Sequence, residues 1–296
     1  MAKAFTGLRL MGMRHGERLD MQYPKWFVKL EEDKCYERPD WNMPFSLPLI
    51  RPPSEFESDT VLTLVGTMVA HLTGKGLLLS NSTPDYVYCS PALRSIQTAL
   101  AVIEGSKSKA TIRIEPGLFE NATLYKKKRV PTFLTPDQLQ GAGFDTIDYS
   151  YKPYWKITDI FGTEINEQDY LIRFHKTVSN IVNAHDGQDS SILLCGHAST
   201  CDLTVNYAYQ RTKPYDVKYL LRIGDFVPYC SLVGLDQIDG KNKFVLNKKI
   251  CLPITINNFT TAYDEKFVYR DVPELVKITN ASCRKNDFID NALYKD

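Results

Sequence analysis

The chain reads as a three-layer α/β fold, with a mostly parallel central sheet and helices on both faces. Short apolar runs alternate with amphipathic helical stretches along most of its length, the signature of strand–helix–strand units. Its 296 residues, 43% hydrophobic and 24% charged, are enough to bury a full core. Histidine, arginine and glutamate recur just after the apolar runs, where such sheets place their sites.

The elements follow in order. Leu8 to Met13 is the first strand. Arg38 to Asp59 is rich in proline and reads as a long loop. From Val61 to Leu72, Val61, Val65, Met68 and Leu72 line one helical face, and Gly74 is placed to stop the helix. Tyr86 to Cys89 is the next strand. A helix over Pro91 to Glu104 carries Leu93, Ile96, Leu100 and Ile103 on one stripe. Ser90 suits its N-cap, Pro91 its first position and Gly105 its end. Thr111 to Ile114 is a strand. Glu167 to Ala184 is a helix with a stripe of Leu171, Phe174, Val178, Ile181 and Val182. Ser191 to Cys195 is a strand, with a helix starting near Ser199, and Ser231 to Leu235 is another strand. The chain is expected to form one domain over residues 1–296. The stretch 246–296 reads as a less regular C-terminal extension, an edge strand followed by a wrapping tail.

Composition narrows the function. With 36 basic and 35 acidic side chains the net charge is +1, which offers no chain-wide attraction to nucleic acid. Seven cysteines, widely spaced and without a C-x-x-C, fit reduced thiols in a cytoplasmic protein better than a disulfide scaffold or a zinc site. No stretch approaches a membrane span, and no long apolar run marks a signal peptide near the N-terminus. No cofactor or metal is expected.

Chemistry gathers behind the strands. Arg14, His15, Gly16, Glu17 and Arg18 follow the first. Ser90 and a helix bearing Arg94 follow the second, a turn to Glu120 follows the third, and Gly196 and His197 follow the fourth. Two histidines, three arginines and a glutamate thus meet at one sheet edge, with helix N-termini beside them. Such a set suits a compact dianion. Guanidinium donors match phosphoryl oxygens. A neutral imidazole can attack phosphorus, and a second histidine, if protonated, can offset the equatorial charge. A carboxylic acid can protonate a departing alkoxide.

These residues resemble a known family. Arg14-His15-Gly16-Glu17 matches the R-H-G-E signature of the phosphoglycerate mutase-like, or histidine phosphatase, superfamily. Five blocks resemble the phosphatase domain of the Sts/TULA proteins and the insect ecdysteroid-phosphate phosphatase. They are RHGERLD from Arg14, NMPFSLP from Asn42, YCSPALRSIQTA from Tyr88, EPGLFE from Glu115 and GHAST from Gly196. The resemblance implies that His15 is phosphorylated, that Arg14, Arg18 and Arg94 hold the phosphate, that His197 is the second site histidine and that Glu120 is the proton donor. Ala198 after His197 excludes the branches that take their acid from an aspartate there. Asn121 stands where Sts-type domains have tryptophan, and the basic run Lys126 to Arg129 follows, reading as a solvated loop or a steering patch. Glu17 is expected to orient an arginine, and Cys195 to be a buried strand thiol.

The sequence therefore points to a metal-independent phosphomonoesterase with a phosphohistidine on His15, acting on a phosphorylated protein or small molecule. No nucleic-acid or membrane partner is expected, and the resemblance implies a homodimer. A phosphoglycerate-type mutase and an inactive phosphate-binding scaffold are the rivals.

Overall fold

The computed structural model describes residues 7–33, 36–49, 51–125, 130–210, 217–238 and 243–254. The basic run Lys126 to Arg129 and most of the expected C-terminal extension lie outside the described residues.

Six strands form one sheet, and the helices that join them pack on its two faces. In chain order the elements are β1 (Leu8–Arg14), α1 (Leu19–Gln22), α2 (Trp26–Asp33), α3 (Leu64–Leu79), β2 (Tyr86–Cys89), α4 (Leu93–Ser106), β3 (Ile112–Ile114), α5 (Pro136–Gly141), α6 (Ile157–Thr163), α7 (Glu167–Ala184), β4 (Ser190–Gly196), α8 (Ala198–Ala208), α9 (Val217–Phe226), β5 (Leu232–Ile238) and β6 (Lys243–Leu246). The strand order is β3-β2-β4-β1-β5-β6. The first four run parallel, while β5 and β6 add antiparallel pairs at one edge. The expected architecture is therefore present.

The period-two alternation of a strand sorts side chains between two cores. Met11 and Met13 of β1, Val87 and Cys89 of β2, and Leu193 and Cys195 of β4 face the layer built by α3 and α4. Leu8 and Leu10, Tyr88, and Ile192 and Leu194 face α7, α8 and α9. Both faces are buried, which is why the strands read as continuous apolar runs.

Two helix ends differ from the sequence reading. α3 runs through Gly74 to Leu79, and α4 runs through Gly105 to Ser106, with Lys107 in the left-handed region at φ 54°. Neither glycine is a stop. A Cβ on Gly74 would lie 2.4 Å from the Val102 carbonyl oxygen, and one on Gly105 would lie 2.0 Å from that of His71. The two glycines let the backbones of α3 and α4 touch. Nor does Ser90 cap α4. The helix begins at Leu93, whose N–H donates to the buried Asp59 Oδ1 at 2.8 Å. No helix of the described residues is long and apolar enough to cross a membrane.

Candidate active site

Adjacent parallel strands deliver the site residues side by side. Arg14 at the end of β1 is in register with Gly196 at the end of β4. His15 and His197, the next residues, therefore leave the sheet together, and the His15 N–H donates to the Gly196 carbonyl at 2.8 Å. Their rings stand edge-on, with centroids 5.5 Å apart and planes at 77°. On the other side of β4, Cys89 of β2 is in register with Cys195, so Ser90 and the start of α4 open at the same edge. The Glu115 N–H donates to the Cys89 carbonyl at 2.7 Å, which leads the segment carrying Glu120 to the same place.

His15 is 3% exposed. Its Nδ1 lies 2.8 Å from the Gly16 carbonyl oxygen. A carbonyl only accepts, so Nδ1 carries the proton and Nε2 keeps its lone pair. Burial, then the charges of Arg94, His197 and Arg14, hold its pKa well below the usual histidine range. The ring is thus neutral near pH 7, with one nitrogen free to act as a nucleophile. The backbone here is pressed against the start of α3. A Cβ on Gly16 would lie 2.7 Å from the Gly66 carbonyl oxygen, and one on Gly66 would lie 2.6 Å from that of Glu17. The glycine of the R-H-G motif is a requirement of this close approach.

His197 is 2% exposed. Its Nε2 shares a hydrogen bond of 2.9 Å with Ser90 Oγ, and Phe119 meets the ring edge-on at 5.3 Å. Its Nδ1 is 3.3 Å from Arg94 Nη2 and 3.4 Å from Glu120 Oε1. Burial, followed by Arg94, Arg18, Arg14 and Arg173, depresses its pKa strongly. The sequence reading allowed a cation here. In this arrangement His197 is neutral, because burial first and four guanidinium groups next oppose its charge.

The arginines differ in how their donors are used. Arg94 is 1% exposed; its Nη2 donates to Glu120 Oε1 at 2.5 Å, while Nε and Nη1 find no acceptor among the described residues. Arg14 lies over the Tyr229 ring at 4.2 Å and donates from Nη1 to the carbonyls of Gly224, at 2.9 Å, and Val227. Its Nε is likewise buried and unpaired. A buried donor without a partner costs roughly 1–3 kcal/mol, and more when charged. Three such donors around a neutral imidazole make a site for an anion. Arg18 is different. It grips Asp20 through Nε at 3.0 Å and Nη2 at 2.5 Å. Burial works against its charge, but Asp20 outweighs burial and raises its pKa. It faces the site through its field, being among the charges felt by Glu120 and His197.

Glu120 Oε1 also accepts from Tyr125 Oη at 2.6 Å. Burial favours the neutral acid, but Arg94, the Tyr125 hydrogen bond, Arg18 and His15 together lower its pKa. In this arrangement the group is a carboxylate. Ser90, Tyr125 and Tyr229 were not singled out as site residues. Ser90 looked like a helix cap, and tyrosines in irregular segments carry no periodic signal. Glu17 does not orient an arginine. It accepts from Thr63 Oγ1 at 2.7 Å, Asn42 Nδ2 at 3.1 Å and Gln22 Nε2 at 2.8 Å, tying the Asn42 loop to the start of α3. Cys195 is fully buried, as expected. Among the described residues no cluster of three or more histidine, cysteine or acidic side chains is placed to hold a metal ion.

Residues 54–247 match the model of the histidine phosphatase superfamily, branch 1. The chain belongs to the histidine phosphatase superfamily. The matched stretch contains Arg94, Glu120 and His197 and begins after the Arg14-to-Arg18 block. This histidine phosphatase chain is 36% identical over 249 residues to the ecdysteroid-phosphate phosphatase of Drosophila melanogaster, covering 82% of the chain and 32% of that protein. It is 30% identical over 252 residues to human ubiquitin-associated and SH3 domain-containing protein B, covering 82% of the chain and 38% of that protein. Both kinds of relative are those the motif blocks pointed to. The chain spans about a third of the length of these curated relatives. The crystal structure of the Bombyx mori ecdysone phosphate phosphatase in complex with tungstate aligns with a TM-score of 0.75 at 28% identity. That alignment covers 88% of this chain and 99% of the other.

Proposed function

We propose that this histidine phosphatase hydrolyses phosphomonoesters in two in-line steps through a phosphohistidine on His15. The observation that carries the reading is the set of guanidinium donors unpaired among the described residues, Arg14 Nε with Arg94 Nε and Nη1, around an imidazole whose Nε2 carries the lone pair. A phosphoryl group supplies the acceptors these donors lack and brings phosphorus to the nucleophile.

In the first step the Nε2 lone pair of His15 attacks phosphorus, the phosphorus–oxygen bond to the leaving group breaks, and Glu120 gives that oxygen a proton. In the second, Glu120 takes a proton from water, the hydroxide attacks phosphorus, and the phosphorus–nitrogen bond breaks. Glu120 needs a proton at the outset, although Arg94 holds it ionised. The bound phosphoryl group resolves this by drawing Arg94 away and adding negative charge nearby, both of which raise the carboxyl pKa. The proton enters with the substrate, whose second ionisation lies near ~6. The same charge favours protonation of His197, which then faces the equatorial oxygens. Arg14, Arg94 and His197 bind the phosphoryl group, and Arg18 adds positive field from its place beside Asp20.

This mechanism draws its positive charge from the protein and needs no metal. The substrate is a phosphorylated protein or small molecule. Phosphate esters of bulky alcohols are consistent with the name of the ecdysteroid-phosphate phosphatase relative, and phosphotyrosyl peptides stand beside them as the protein substrate class of this reading. The five described cysteines are free thiols, which suits a reducing compartment, and we place the reaction in the cytoplasm. A homodimer belongs to the same reading, by likeness to Sts-type domains. The test is turnover of p-nitrophenyl phosphate after exhaustive chelation. Undiminished hydrolysis is expected. Loss with rescue by a divalent ion would refute metal independence, net interconversion of phosphoglycerates would favour a mutase, and no turnover of any phosphoester would leave a phosphate-binding scaffold.

A further inference from the structure

Glu120 stands on irregular backbone. Single 3-10 turns, Pro116–Leu118 and Ala122–Tyr125, flank it on either side. Turns this short leave most of their carbonyls and amides without internal partners, so contacts from elsewhere must fix the backbone beneath the carboxyl group, which is itself held by Arg94 and Tyr125. A buried ion pair reaches this segment from α7 and the end of α6. Arg173 of α7 is 2% exposed, and so is Glu164, just after α6. Arg173 Nε donates to Glu164 Oε2 at 2.8 Å. Its Nη1 donates to the carbonyls of Gly117 and Phe119, both at 2.8 Å, and its Nη2 to that of Glu120 at 3.1 Å. Glu164 Oε1 accepts the Ala122 N–H at 2.6 Å. The pair thus holds three carbonyls up to and including Glu120 and one amide just beyond it.

A buried ion pair is a poor way to gain stability, because desolvation offsets most of its attraction. Its fork geometry, by contrast, fixes positions well. We propose that the Arg173–Glu164 pair is a positioning device for the proton donor Glu120, and thereby sets which leaving groups the enzyme can expel. This rests on the reading of Glu120 as the acid. A displaced acid harms the departure of an alkoxide, which must leave protonated, far more than that of nitrophenolate. Placement errors near 1 Å are enough for large losses.

The decisive comparison uses the full chain and single-turnover phosphoryl transfer from p-nitrophenyl phosphate and from an alkyl phosphate. Arg173→Lys keeps the charge that acts on His197 and removes the fork. It should lose ~10–10²-fold on the alkyl ester and under ~3-fold on the nitrophenyl ester. In a Glu120→Gln background the same change should cost nothing further on the alkyl ester, since the group being positioned no longer carries a transferable proton. Equal losses on both esters, or a full additive loss in that background, would overturn the proposal. Glu164→Asp keeps the pair's charge but shortens the arm that reaches Ala122. It decides the matter if Arg173→Lys fails to fold: selective loss on the alkyl ester supports the proposal, and unselective loss refutes it. Should Glu120→Gln itself show no leaving-group selectivity, the assignment of the acid fails instead.

Discussion

Glu120 Oε1 lies 2.5 Å from Arg94 Nη2, inside a site where Arg94 Nε and Nη1 have no acceptor. One guanidinium thus restrains the Glu120 carboxylate and keeps its remaining donors available to an anion. Replacing it should harm both binding and chemistry. Arg94→Ala is expected to lower kcat/KM by ~10²–10³-fold, the scale on which removal of one preorganised donor acts. Arg94→Lys keeps the charge without the fork and should recover only part of this. Vanadate inhibition should weaken in parallel. A variant with near-normal vanadate affinity would show that Arg94 is not a phosphate ligand.

The low pKa values of His15 and His197 have a consequence for stability. Both are depressed in the fold by burial first and by arginine charges next. Between the unfolded histidine pKa near ~6.5 and the lower folded values, the unfolded chain binds more protons, so stability falls as pH falls through that window. Each histidine should contribute a slope of up to ~1.4 kcal/mol per pH unit there, and none above about pH 7.5. Urea unfolding at pH 7.5, 6.5 and 5.5 checks this. A double variant, His15→Asn with His197→Gln, should show a shallower slope, and an unchanged slope would mean that other groups carry it.

The same depression sets the acid limb of activity. His15 must be neutral to attack, and its pKa lies well below 6.5. The kcat/KM profile should therefore persist below pH 6.5 rather than fall with an ordinary histidine ionisation. A limb centred near ~6.5 that stays in place when the phosphate pKa of the substrate is changed would show an unperturbed nucleophile.

The close approach of Gly66 to Glu17 makes a mutation in the backbone support of the His15 turn informative. Gly66→Ala places a Cβ 2.6 Å from the Glu17 carbonyl oxygen. Either α3 or the His15 turn must shift, at a cost of roughly 1–3 kcal/mol. Thermal unfolding and kcat should both drop. Full activity with unchanged stability would show that α3 moves freely at this contact.

Much of this was legible in the sequence because it rests on local signals. α7 spans Glu167–Ala184, as its stripe indicated, with Asn166 capping its start. The convergence of His15, Arg94 and His197 was legible because each directly follows a strand or opens the next helix. What stayed hidden depends on tertiary contacts. Gly74 and Gly105 read as helix stops but are contact points between α3 and α4. Ser90 has the chemistry of a cap yet spends it on His197, while a distant aspartate caps α4. Short helices such as α6, with only Ile160 buried, leave no periodic trace. The Arg173–Glu164 pair leaves no mark in the sequence, since nothing local shows that both side chains are buried.

The central claim is that His15 becomes phosphorylated, and rapid quenching of the enzyme with radiolabelled substrate tests it most directly. Acid-labile, base-stable label should be trapped and should map to the peptide containing His15. His15→Ala should trap none and lose at least ~10³-fold in turnover, because the covalent route is gone. Label on a cysteine or serine, or undiminished turnover in the His15→Ala variant, would contradict the account.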